Sequence, residues 1–81
     1  MINFLDVFVE EKLRKLYRQI ITIDEGSRKY RNKNIELINL RDKIRILKIV
    51  IEVKTRHNFD FSDDLKRMKD FLEKKKNLKK N

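Results

Sequence analysis

The pattern of apolar and polar positions predicts a helix at each end of the chain and a β-branched stretch between them. Leu5, Phe8, Val9, Leu13, Leu16, Tyr17 and Ile20 recur at three- and four-residue spacing, which places them on one stripe of a helix beginning at Phe4. Asn3 stands where a cap belongs. Glu10–Arg14 and Glu11–Lys15 are four apart in the favourable order, worth about 0.3 kcal/mol each. The pattern then changes. Ile20-Ile21-Thr22-Ile23 is β-branched throughout, and Asp24-Glu25-Gly26-Ser27 brings turn residues around the chain's one glycine. The clearest alternation runs from Leu47 to Thr55. Leu47, Ile49, Ile51, Val53 and Thr55 fall on one side, and Lys48, Val50, Glu52 and Lys54 on the other. Period-two alternation in a run rich in Val and Ile, which lose χ1 freedom in a helix, predicts a strand with Leu47, Ile49, Ile51 and Val53 in the core.

Asn34-Ile35-Glu36-Leu37-Ile38-Asn39-Leu40 is a second short apolar run, and Arg41-Asp42-Lys43 would turn it back into the first as an antiparallel hairpin. After Phe59-Asp60-Phe61, Ser62 is a good N-cap, with Asp63 and Asp64 where the helix dipole favours negative charge. Leu65, Met68, Phe71 and Leu72 give that last helix a buried face. The expected fold is therefore α+β: an N-terminal helix, a three-stranded mainly antiparallel sheet and a C-terminal helix. Residues 1–73 form one small domain and 74–81 a lysine-rich tail that frays. The rival is an all-α three-helix bundle with residues 35–53 as its long central helix. Leu37, Leu40, Ile44, Leu47 and Ile51 keep heptad spacing for it. Ile35, Ile38, Ile46, Ile49 and Val53 then make a second stripe, which demands partners on nearly all sides.

Charge changes the functional picture. The chain carries 22 Lys and Arg against 13 Asp and Glu, a net +9, which points to a polyanionic partner. Nucleic acid, with DNA first, stands ahead of an anionic membrane surface. The chain has no cysteine, which excludes disulfide and thiolate chemistry, and its single histidine excludes a zinc site built from histidines of one chain. Met1 to Val9 carries Asp6 and lacks the basic start of a secretory leader, and no apolar run is long enough for a membrane span. A cytoplasmic protein with no membrane partner is the expectation. Tyr30 stands inside Arg28-Lys29-Tyr30-Arg31-Asn32-Lys33, a plausible nucleic-acid contact or a plain solvated loop. Arg28, Lys29, Tyr30, Arg31, Lys33, Arg56, Lys74, Lys75 and Lys76 are the candidate nucleic-acid-binding residues. His57 reads as a surface or capping residue and Ser62 as a cap, since no base is placed to activate its hydroxyl.

The order of elements, with Lys33-Asn34-Ile35-Glu36-Leu37-Ile38 on one strand and Ile49-Val50-Ile51-Glu52-Val53-Lys54 on the next, resembles the PD-(D/E)xK nuclease superfamily. That is the restriction-endonuclease-like fold, which includes Holliday-junction resolvases and Mrr-type enzymes. Phe8-Val9-Glu10-Glu11-Lys12-Leu13 is similar to the family's first helix. The resemblance implies a metal-dependent endonuclease in which Glu36 and Glu52 hold Mg²⁺ and Lys54 is the catalytic lysine, with Glu10 or Glu11 matching a glutamate of the first helix. The metal would activate water and stabilise charge on the phosphate. It also implies a homodimer, with the chain leaving a sheet edge open. A degenerate member that binds DNA without cutting it is the companion expectation. Against this, Glu52 and Lys54 also read as the solvated face of an edge strand. D/E-x-K triplets recur at Glu10-Glu11-Lys12, Asp64-Leu65-Lys66 and Glu73-Lys74-Lys75. The functional alternative is a small helical inhibitor or adaptor that docks on a protein partner.

Overall fold

The computed structural model describes residues 4–28 and 32–80. They form three helices, α1 (Phe4–Ser27), α2 (Lys33–Arg56) and α3 (Ser62–Lys79), and no strand occurs among the described residues. The rival all-α reading is the observed one, and the three-stranded sheet is not there. Ile20 to Ile23, read as a strand, and Asp24 to Ser27, read as a turn, are the last turns of α1. The two strands of the expected hairpin and its Arg41-Asp42-Lys43 turn are consecutive turns of α2. No sheet edge remains open, so the reason given for a homodimer falls away. Asn3 and the stretch Lys29-Tyr30-Arg31 lie outside the described residues.

Burial shows why α2 is helical despite its β-branched run. Its buried side chains are Leu40, Ile44, Ile46, Leu47, Val50 and Val53, at three- and four-residue steps. Val50, assigned by alternation to the charged side, is fully buried together with Leu47, while Ile49 and Ile51 are only half-buried. Each Val or Ile costs a helix a few tenths of a kcal/mol relative to the best formers. Burying such a side chain returns about 1.5–3 kcal/mol, so packing outweighs propensity. Nothing breaks the run either, because the chain has no proline and its one glycine lies in α1.

From Leu40 onward the apolar positions of α2 find their partners on two sides, while Ile35 and Ile38 of the second stripe stay exposed. α2 packs against both α1 and α3, whose backbones do not approach each other, and the molecule measures 52 × 22 × 14 Å. Val9, Leu13 and Ile20 of α1 and Phe71 of α3 complete the core, with Leu16, Tyr17, Ile23, Phe59, Met68 and Leu78 packed against it.

The ends of the helices follow local chemistry. Asn32 caps α2 by accepting from the Asn34 N–H at 2.9 Å. At the other end Asn58 takes φ 59°, and the Phe59 N–H reaches the Lys54 carbonyl at 2.8 Å while the Asn58 N–H reaches Thr55 at 3.4 Å. This is the Schellman arrangement, with asparagine in the left-handed place that glycine usually holds. Ser62 is not the cap of α3. Asp60 accepts from the Ser62 N–H and hydroxyl at 3.1 and 2.7 Å, and these bonds hold the Asp60 carboxyl below its ordinary range. The lysine-rich end continues α3 to Lys79 instead of fraying, and Leu78 packs on the core. No helix among the described residues is long and apolar enough to cross a membrane.

Candidate functional site

Glu36 and Glu52 stand on the same helix, about 24 Å apart along its axis at roughly 1.5 Å per residue. Two carboxylates that far apart do not fit one magnesium ion, whose oxygen ligands lie about 2 Å from it. Glu36 is half-buried in the first turn of α2, and Glu52 is exposed near its end. Glu10 and Glu11 are exposed on α1. Among the described residues no group of three or more His, Cys, Asp or Glu side chains is placed to share a metal ion. The expected constellation of Glu36, Glu52 and Lys54 needed the hairpin to bring it together.

Lys54 is drawn into a different group. Its Nζ donates to Asp64 Oδ2 at 2.6 Å, and the Tyr17 hydroxyl donates to Asp64 Oδ1 at 2.5 Å. The ammonium also lies 5.3 Å from the centre of the Tyr17 ring. Asp64 is 3% exposed, the one buried charged residue in the structure described, and both its oxygens are satisfied. Burial works against the Lys54 charge, but the bonds to Asp64 and Tyr17 outweigh it and hold the ammonium above its ordinary value. Burial first, and then the bond to Asp64, push the Tyr17 phenol up. A lysine held in this way keeps its proton at neutral pH and has no free electron pair for nucleophilic or general-base work. What the group does is join three helices.

A second lysine of α2 mirrors it. Lys43 donates to Asp24 of α1 at 2.6 Å and lies 4.8 Å from the ring centre of Phe71 of α3. Lys54 takes its carboxylate from α3 and its ring from α1, and Lys43 does the reverse. The two lysines fill the gap between α1 and α3, whose backbones do not meet and which the Tyr17–Asp64 bond also spans, with their stems along apolar surface. Asn39 adds a bond from its amide to the Ser27 hydroxyl.

The remaining cations are distributed unevenly. Arg41, Arg45 and Lys48 occupy one outer face of α2 at steps of four and three, and all three are exposed. They border a shallow depression with Lys75 of α3, Ile44 and a single acid, Asp42. Lys75 also borders the next depression, with Leu72, Lys76, Lys79 and Lys80. Seven cations thus line one continuous surface that holds one carboxylate. Of the residues expected to contact nucleic acid, Lys75 and Lys76 lie on this surface. Lys74 faces a separate groove of about 400 Å³ beside Lys43, Asn77 and Leu78. Arg28, Lys33 and Arg56 are exposed at helix ends, and Lys29, Tyr30 and Arg31 lie outside the described residues. Arg41, Arg45 and Lys48 were missed. Their four-and-three spacing is the signal, and it speaks only once the segment is read as a helix.

Comparison with family models, with curated proteins and with solved structures finds no match to this chain.

Proposed function

We propose that this chain binds nucleic acid through the phosphate backbone, on the surface that α2 and α3 share. The observation that carries the reading is the continuity of Arg41, Arg45 and Lys48 with Lys75 and the lysines after it, lined among the described residues by one carboxylate, Asp42, with Glu52 one turn beyond Lys48 at the edge. Lysines and arginines on rigid helices neutralise phosphates and release their counterions, which drives binding without any reading of bases. The net charge of +9 adds attraction at longer range. Cleavage has no support from Glu36 and Glu52, which do not converge. The partner-docking alternative has less on its side, because the exposed apolar side chains among the described residues, Val7, Phe8 and Ile21 of α1, Ile35 and Ile38 of α2 and Leu65 and Leu72 of α3, are spread over three helices instead of gathered on one.

The test is fluorescence anisotropy of labelled DNA with the Arg41→Gln/Arg45→Gln/Lys48→Gln variant. All three positions are exposed, so circular dichroism should match that of the unaltered chain. Affinity should fall at least about 30-fold, from three phosphate contacts each worth a modest charge-assisted bond. Equal affinity of the folded variant would sink the reading.

A further inference from the structure

We infer that the nucleic acid this surface takes is a duplex, gripped by its two phosphate rows and not read for sequence. The inference rests on the proposed function and concerns the same surface.

Three features of the surface select the ligand. The cations stand in two rows, one on α2 and one on α3. Arg41 to Lys48 spans about 10 Å, the rise of roughly three phosphates along one strand at ~3.4 Å each. On α3, Lys75 and Lys79 stand four apart, as do Lys76 and Lys80. Packed helices lie about 8–10 Å axis to axis, so the rows are separated by a distance of the order of a duplex groove, whose two sides are about 6–12 Å apart. A single strand has one phosphate row and would leave the other row of cations unpaired.

The depression between the rows lacks the groups that other ligands need. Among the described residues its lining of Arg41, Asp42, Ile44, Arg45, Lys48 and Lys75 includes no aromatic ring on which an unpaired base could stack. It includes no Asn or Gln for the paired contacts that identify adenine. Arginine can read guanine, but only from inside the major groove, whereas Arg41 and Arg45 share the rim of a shallow depression with Lys48 and Lys75, as a row that meets phosphates would.

Anisotropy titrations would use the whole chain with four probes of equal length: two DNA duplexes of unrelated sequence, and one strand of each. The expected result is that the two duplexes bind within about threefold of each other and each single strand at least about tenfold more weakly, since only one row is engaged. Single strands that bind as tightly as duplexes, or duplexes that differ more than about tenfold, would overturn this inference and leave the proposed function standing. Failure of all four probes to bind at low salt would overturn the proposed function as well. In the Arg41→Gln/Arg45→Gln/Lys48→Gln variant, loss of the α2 row should bring duplex and single strand to within about threefold of each other. A preference for duplex kept in that variant would also refute the two-row grip.

Discussion

Replacing Asp64 with asparagine tests the buried group most sharply, because it keeps the side chain's shape and removes only its charge. Asp64 is 3% exposed and accepts from both Tyr17 and Lys54. The asparagine leaves the Lys54 ammonium, whose side chain is 17% exposed, without its counter-charge. Breaking a buried pair costs about 3–5 kcal/mol, and the partial exposure of Lys54 places this case near the lower figure, about 3 kcal/mol. A chain of this length has a total stability of about 4–12 kcal/mol. The melting temperature should drop by about 12–24 °C, at roughly 4–8 °C per kcal/mol for a domain of this size. The triple variant Tyr17→Phe/Lys54→Met/Asp64→Leu, which replaces the pair with apolar groups of similar bulk and leaves no hydroxyl without its acceptor, should return to within about 1 kcal/mol of the unaltered chain. Urea denaturation followed by circular dichroism measures all three. An Asp64→Asn variant within about 1 kcal/mol of the unaltered chain would refute the claim that this charge is buried and shared. So would a triple variant no more stable than the single one.

Other outcomes follow from the same structure. Tyr17→Phe keeps the ring and loses one bond to a charged acceptor, so denaturation should show a loss of about 1.5–3 kcal/mol. The folded pKa values of Tyr17 and Lys54 are both raised, so their contribution is complete below pH 10 and is lost as pH climbs through the raised values. Stability of the unaltered chain should therefore fall above about pH 10, and the Lys54→Met/Asp64→Leu variant, which still has Tyr17 but not its partners, should show a shallower fall. Asn58→Ala, at φ 59°, should cost about 1 kcal/mol in a thermal melt, because a Cβ with no side-chain amide is strained in the left-handed region. Glu52→Gln separates the two chemistries read into that residue. It is exposed one turn beyond Lys48 on the same face, so removing its charge should tighten DNA binding about two- to fivefold, whereas loss of a metal ligand would abolish any nicking of plasmid DNA in magnesium.

The sequence made α1 legible as far as Ile20, with Val9, Leu13 and Ile20 buried as expected, although Phe8 of the same stripe is exposed and the turns from Ile20 to Ser27 were read as a strand and a turn. α3 was legible in its start to within a residue, but of its expected buried face only Phe71 is buried and Met68 half-buried, while Leu65 and Leu72 are exposed. α2 was misread for a physical reason. A helix with partners on two sides buries about half its circumference, so neighbours such as Ile46 and Leu47 are buried together and the single-stripe rule fails. Between Leu47 and Thr55 the charged residues Lys48, Glu52 and Lys54 all fall at even numbers, although Lys54 turns inward and Thr55 outward, and this imitates a strand. The misreading carried Lys54 and Glu52 into an active site that a helix cannot assemble with Glu36. Asp64 was assigned to the helix dipole, which its position in the first turn does satisfy. That Tyr17 lies across from it is a long-range fact, 47 residues away along the chain, that no local pattern encodes. The basic character was plain from composition, but its arrangement on α2 and α3 depended on the fold.

The salt dependence of DNA binding bears most directly on the phosphate grip. With about four or five phosphates engaged by the rows on α2 and α3, the logarithm of the association constant should fall against the logarithm of salt with a slope of about −3.6 to −4.5. Raising salt from about 50 to 200 mM should then weaken binding by about 150- to 500-fold. In the Arg41→Gln/Arg45→Gln/Lys48→Gln variant the slope should be shallower by about 2.7, three phosphates at ~0.9 each. A slope that the three substitutions leave unchanged would place the phosphates elsewhere on the protein and contradict the account.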